Sequence, residues 1–257
     1  MEVRYELGCS AQQINPLIKD PKAIEIVDSL DYNFDYIEKR NKAAQFHVIV
    51  RTRVFDEQVT KFITDTKNPV IVNLGSGLDT RYTRIPSEHV KCWYDIDLPE
   101  VIEFRNHFFK STDTFRSIGK SVLDFSWIKD ISTDHTDSVL FIAEGLLMYF
   151  SEAEIGEILT QINSNFPSAE MLCEVFHPKL LKFHLKNKKN NKDLSFTWGI
   201  ADSKDLESLC PSVFVENEWK VNELYRERQK LIIRIISKFL PDFKNLVRVI
   251  KLRFNAK

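Results

Sequence analysis

The chain has 257 residues, 43% hydrophobic and 28% charged, with 36 Lys plus Arg against 37 Asp plus Glu for a formal net charge of −1. These values lie near the average for soluble globular chains and exclude a largely disordered protein, a collagen and a disulfide miniprotein. The balanced charge removes the basis for a dominant electrostatic grip on nucleic acid, so no nucleic-acid partner is expected.

In chain order, Met1 to Glu6 is charged and lacks the apolar run of a signal peptide. Residues 20–64 are helical in pattern, with Val48, Phe55, Val59 and Phe62 spaced to share a face. Val70-Ile71-Val72-Asn73-Leu74 is a β-branched run of the kind buried on both faces of a sheet. Lys91 to Asp95 reads as a second strand, after which Pro99 opens a helix at its first turn. Val139 to Ala143 reads as a third strand. The apolar stretch it begins, up to Phe150, is interrupted by Glu144 and too short to span a bilayer, so no membrane partner is expected. Ser151-Glu152-Ala153-Glu154 is a capping box. The helix it starts carries Ile155, Ile158, Leu159 and Ile162 on one face and ends at Phe166-Pro167, and Met171 to Phe176 gives a further strand.

Residues 179–192 hold six lysines and no acid, which reads as a mobile solvated loop or a lid. Ile232, Ile235, Ile236, Phe239 and Leu240 form a helical stripe stopped by Pro241, and the alternation from Val247 to Phe254 suggests a last edge strand. From Arg226 to Lys257 there are ten basic residues and two acidic ones, read as a solvated helix face and a charged sheet edge rather than an RNA surface. Cys9, Cys92, Cys173 and Cys210 form no C-x-x-C pair, so no metal site is expected. Four reduced thiols fit a cytoplasmic location. Strand–helix alternation with apolar strands implies an α/β fold: an open, mostly parallel sheet with helices on both faces. It also directs the search for function to the C-terminal ends of the strands.

Three signals stand at those ends. The run Asn73-Leu74-Gly75-Ser76-Gly77-Leu78-Asp79-Thr80-Arg81 follows the first strand directly. Gly75 permits a tight turn and Gly77 a close backbone approach to a ligand, while Thr80 stands where a dinucleotide fingerprint has its third glycine. Asp97 lies 20 residues after Gly77. A carboxylate there accepts both hydroxyls of an adenosine ribose, of NAD or S-adenosylmethionine alike, or else caps the helix at Pro99. Glu144 ends the central strand, where a buried acid needs a cationic partner: the α-ammonium group of a ligand, or an internal Arg51 or Arg53.

Five blocks in this order and spacing resemble the leucine carboxyl methyltransferase family, which includes bacterial O-methyltransferases of polyketide synthesis. They are Arg51-Thr52-Arg53-Val54-Phe55-Asp56, the Asn73 to Arg81 run, Asp95-Ile96-Asp97-Leu98-Pro99, Asp124-Phe125-Ser126-Trp127 and Glu144-Gly145-Leu146-Leu147-Met148-Tyr149. Together they cover roughly residues 15–200. The resemblance implies a Rossmann-like class I S-adenosylmethionine-dependent methyltransferase with a seven-stranded sheet. It implies a single domain: an N-terminal helical lid over residues 1–66, an α/β core over 67–257, and a lid-like insertion near 178–205. It also implies roles. Arg51 would hold the methionine carboxylate of the cofactor, Gly75 and Gly77 form its loop, and Asp97 bind its ribose. Asp124 and Phe125 would take the adenine, and Glu144 lie near the amino group. Asp124 follows the weak apolar segment Ser121-Val122-Leu123, read as the end of a strand; taken alone, Asp124 reads as a helix cap before Trp127, and only the family pattern points to adenine.

The implied reaction is O-methylation of a small-molecule acceptor. Tyr149, Arg81, His47 and Trp198 are the candidates to orient that acceptor, with Tyr149 placed at the catalytic position. None is an evident general base, which favours a carboxylate acceptor over a hydroxyl, since a carboxylate is already ionised at neutral pH. A protein C-terminal carboxyl acceptor, an NAD-dependent oxidoreductase and a cofactor-binding homologue without turnover are the competing readings.

Overall fold

A computed structural model describes residues 17–32, 42–187, 196–228 and 241–255. Its centre is one seven-stranded sheet in the order β3-β2-β1-β4-β5-β7-β6. The strands are β1 (Pro69–Leu74), β2 (Cys92–Asp97), β3 (Phe115–Gly119), β4 (Ser138–Ala143), β5 (Glu170–Phe176), β6 (Val213–Lys220) and β7 (Val247–Phe254). β3, β2, β1, β4 and β5 pair in parallel, whereas β7 is antiparallel to both β5 and β6. The sheet is therefore mixed, with one reversed strand.

The helices are α1 (Pro21–Ser29), α2 (Lys42–Asp65), α3 (Arg81–Arg84), α4 (Pro99–Arg105), α5 (Glu152–Asn165), α6 (Pro178–Asn187) and α7 (Asp205–Leu209). The alternation of β1 sorts the core. Val70, Val72 and Leu74 pack with Ile155, Ile158, Leu159 and Ile162 of α5 on one side. Ile71 faces the other way, into a cluster with Val50, Val54, Phe55, Val59 and Phe62 of α2. Every residue of β1 is buried, because helices cover both faces. Both bonds of the Ser151 capping box are present at the start of α5.

Four readings are corrected. The run from Val247 to Phe254 is an inner strand, not the edge: both of its faces are mostly buried, and β6 takes the edge. The alternation was visible, but β6 was not, since Glu216, Asn217, Glu218 and Lys220 give it a largely polar profile. Residues 178–187 form helix α6, with Pro178 as its first residue, rather than a loop. The apolar Ser121 to Leu123 segment is a turn, and the strand before it ends at Gly119. Asp97 is the last residue of β2, and Leu98 stands at the N-cap of α4, so Asp97 does not cap that helix. The stripe from Ile232 to Leu240, residues 188–192 and Met1 to Glu6 lie outside the described residues.

Candidate functional site

The C-terminal ends of β1, β2, β4 and β5 bring Gly75, Gly77 and Asp97 together in one group and Arg51 and Glu144 in a second, while Asp124, Phe125 and Tyr149 fall in neither. In the first, β1 runs into the glycine loop, which then meets β2. Gly75 and Gly77 both adopt left-handed backbone, at φ +64° and +48°. A Cβ on Gly75 would lie 2.6 Å from Leu146 Cδ1, whereas one on Gly77 would meet nothing within 4 Å. Gly75 thus serves close packing, and Gly77 leaves open space beside the loop. The Gly77 N–H donates to Asp97 Oδ2 at 2.7 Å, and the Leu98 N–H donates to Asp97 Oδ1 at 2.8 Å. Each carboxylate oxygen keeps one further lone pair for a ligand hydroxyl. Ser76 Oγ, in the same loop, is buried without a hydrogen-bond partner.

The second group lies between β4, β5 and α2. Arg51 projects from α2, with Nε donating to Glu144 Oε1 at 3.0 Å and Nη1 to both oxygens of Glu174 at 2.7 and 2.8 Å. Thr52 Oγ1 donates to Glu144 Oε1 at 2.8 Å, and Arg81 Nη2 donates to Glu144 Oε2. The internal ion pair weighed for Glu144 is thus present with Arg51. Arg53 instead pairs with Glu57 on its own helix. Burial alone would lower the Arg51 pKa, but Glu174 and Glu144 more than offset it, and the net shift is upward. Arg51 therefore stays cationic.

A charged lattice ties these groups to helix α2 through Asp56. Arg81, fully buried, binds Asp56, Asp79 and Glu144, so its guanidinium is committed internally rather than offered to an acceptor. Asn73 donates to Asp79 and Asp95, and Arg105 pairs with Asp95 and donates to the Gly77 carbonyl. Burial raises the Asp95 pKa, with Arg105 acting against it. Asp79, Asp95, Arg105 and Glu174 were not singled out from sequence. The available signal was the cost of acids inside apolar strands: Asp95 interrupts β2 and Glu174 interrupts β5.

Asp124 is exposed and caps the turn Phe125–Asp130, accepting from the Ser126 N–H, which holds its carboxyl below the usual range. The cap read from the residues alone is therefore real. Phe125 is half-buried against the core. Tyr149 is exposed and packs on Phe196, with ring centroids 5.4 Å apart. Trp198 is buried, its Nε1 without a partner. His47 is half-buried, and its pKa is lowered by burial first and by Arg51 second. A cleft of about 600 Å³ lies away from the strand ends, between Ile18, Arg53, Asp56, Lys61 and Pro86. Among the described residues no His, Cys, Asp and Glu group has the arrangement of a metal site, and no helix is long and apolar enough to cross a membrane.

Comparison with known proteins sets this geometry in context. The family profile described as leucine carboxyl methyltransferase matches residues 7–163. The chain is 29% identical over 211 residues to the tetracenomycin polyketide synthesis O-methyltransferase TcmP of Streptomyces glaucescens, covering 82% of this chain and 77% of that one. It is 25% identical to the S-adenosyl-L-methionine-dependent methyltransferase dpfgK of Gibberella zeae, covering 79% and 74%. Two solved structures share the fold at low identity. A duf574 family protein from Streptomyces avermitilis has a TM-score of 0.62 at 10% identity, covering 100% of this chain and 97% of that one. A geranyl diphosphate methyltransferase in complex with SAM has a TM-score of 0.51 at 9% identity, covering 85% and 92%.

Proposed function

Since the chain belongs to the leucine carboxyl methyltransferase family and is an S-adenosylmethionine-dependent methyltransferase, we propose that it methylates the carboxylate of a small molecule, with the site built on Arg51, Gly75, Gly77, Asp97, Asp124, Phe125 and Glu144. The observation that carries this reading is the hydrogen bond from the Gly77 N–H to Asp97. It joins the glycine loop to the acid at the end of the neighbouring strand, as binding one nucleoside requires.

The residues fit the cofactor on three counts. The Cβ direction of Gly77 is open. Asp97 retains acceptor capacity on both oxygens. Arg51 donates to the two glutamates through Nε and Nη1, so its bonds to them do not use Nη2. In this reading Arg51 Nη2 binds the cofactor carboxylate, Glu144 faces its amino group, and Asp97 takes the ribose hydroxyls. Phe125 packs on the adenine, and Asp124 turns its remaining oxygen to the exocyclic amine. When bound, S-adenosylmethionine supplies an electrophilic methyl group on its sulfonium. The protein's share is alignment and exclusion of water. Tyr149, exposed beside Phe196 just after Glu144, orients the acceptor through its hydroxyl. An ionised carboxylate acceptor needs no base, and the half-buried His47, with its lowered pKa, is not required to act as one.

Isothermal titration and acceptor panels test this. S-adenosylhomocysteine is expected to bind and raise the melting temperature, about 2.7 kcal/mol of stabilisation at a hundredfold excess over Kd, while NAD does neither. Arg51→Ala and Asp97→Ala are each expected to weaken that binding at least tenfold, and carboxylic acids to yield methyl esters. Parent-like binding by both variants would overturn the site, and transfer confined to phenols or amines would overturn the acceptor.

A further inference from the structure

Glu174 has no part in the reading above except as a neighbour of Arg51, yet its placement is unusual. On β5 the side chains alternate: Met171, Cys173 and Val175 enter the core cluster on the α5 side, and Leu172 and Phe176 the cluster on the α2 side. Glu174 occupies the α2-side position between Leu172 and Phe176, where an apolar residue would continue the series. It is fully buried. The last rung between β4 and β5 is Ala143 to Cys173, so Glu174 stands one residue beyond the ladder, beside the point where β4 gives way to Glu144 and Gly145.

Its two oxygens are shared between two groups. Both accept from Arg51 Nη1, and Oε2 also accepts from the Gly145 N–H at 2.9 Å. Gly145 is held in left-handed backbone at φ +68°. A buried ion pair is a poor way to gain stability, because desolvation cancels most of the attraction and an apolar replacement is often as stable. Burial indeed pushes the Glu174 pKa up, with Arg51 opposing it. What the carboxylate does supply is direction. It fixes Nη1 of Arg51 while Glu144 fixes Nε, so the guanidinium plane cannot swing, and it holds the turn that carries Glu144.

We propose that Glu174 is a positioning residue that preforms the cofactor end of the site by locking the Arg51 guanidinium and the Gly145 turn in one arrangement. This rests on the cofactor-binding role proposed for Arg51. Arg51 is tethered through Nε to Glu144, just past β4, and through Nη1 to Glu174 of β5 at once, so cofactor binding need not spend free energy ordering a long side chain.

The test is Glu174→Gln, alone and combined with Arg51→Ala. Glutamine keeps the size and can accept from Gly145, but turns a donor toward Arg51. Titration with S-adenosylhomocysteine is expected to show about a tenfold loss of affinity for the single variant, and less than threefold additional loss when Glu174→Gln is added to Arg51→Ala, as expected for two residues acting as one unit. An affinity within twofold of the parent, or the same tenfold loss on top of Arg51→Ala, would overturn the proposal. Hydrogen exchange over residues 144–149 without ligand is a second readout. Exchange there should accelerate in Glu174→Gln, because a neutral amide oxygen accepts from the Gly145 N–H more weakly than the carboxylate does, and unchanged exchange also overturns the proposal. If the parent bound no S-adenosylhomocysteine, the proposed function would fail while the exchange experiment still judged Glu174. Should Glu174→Gln fail to fold, Glu174→Asp, which keeps the charge but shortens the reach, is expected to show the same two effects.

Discussion

The two glycines of the β1 loop show how one residue type serves two ends. Both have positive φ, a conformation that costs a residue with a Cβ roughly 1 kcal/mol or more. They differ in what surrounds them: the Leu146 side chain blocks one, and open space adjoins the other. Gly75→Ala is therefore expected to cost about 2–3 kcal/mol, from backbone strain plus displacement of Leu146, read as a lower denaturant midpoint. Gly77→Ala should cost only about 1 kcal/mol of stability, while placing a methyl group in the proposed cofactor space and weakening S-adenosylhomocysteine binding several-fold more than its stability loss explains. Equal effects of both variants on folding and binding would contradict this division. Glu144 makes the same point with charge. That it needed a cationic partner follows from its position in the sequence, but that Arg51 and Arg81 share it does not, because its contacts with them span 93 and 63 residues of chain.

Among the elements, α5 is the one most fully specified by its own sequence. Ser151 and Glu154 cap it reciprocally, the buried isoleucines recur at helical spacing, and Phe166 takes the C-cap position ahead of Pro167. Ser151→Ala should destabilise the fold by about 1 kcal/mol, lowering the melting temperature by roughly 2–4 °C, with S-adenosylhomocysteine affinity unchanged because the Ser151 side chain bonds to Glu154 and to none of the residues proposed to hold the cofactor. A matching loss of affinity would mean that α5 communicates with the site. The elements that escaped the sequence reading are those whose pattern depends on neighbours. β3 is a short flank strand of modest apolar content, and β6 is an edge strand whose polar residues are tolerated because most of its positions are exposed or half-buried. β7 looks like an edge in isolation because Arg248, Lys251 and Arg253 interrupt it. Arg248 is nonetheless buried, its guanidinium donating to the Ile200 and Ala201 carbonyls and to Ser203 Oγ.

At the scale of the molecule, helix α1 is fastened to the rest of the fold by the carboxylate of Asp20 as well as by Ile26 in the core. Asp20 accepts from the Ala23 N–H as the N-cap of α1, and its other oxygen accepts from Thr80 Oγ1 at 2.6 Å and pairs with Arg84 at 3.2 Å, immediately after the glycine loop. Asp20→Ala removes cap and fastening together. It is expected to cost about 3 kcal/mol and to accelerate hydrogen exchange across residues 17–32 more than in the central strands, whereas uniform exchange would show that α1 is held by its apolar face alone. The sequence by itself determined the strand–helix alternation, the positions of β1, β2, β4 and β5, the caps of α5, and the acids and glycines at the strand ends, because each of these is written in local periodicity or in a turn's demand for a particular residue. Only the tertiary structure decided the strand order, the reversal that puts β7 inside, and the lattice joining Arg51, Arg81, Glu144 and Glu174. Those depend on which faces remain to be covered and which buried charges meet across long stretches of chain, and neither quantity has a local signature.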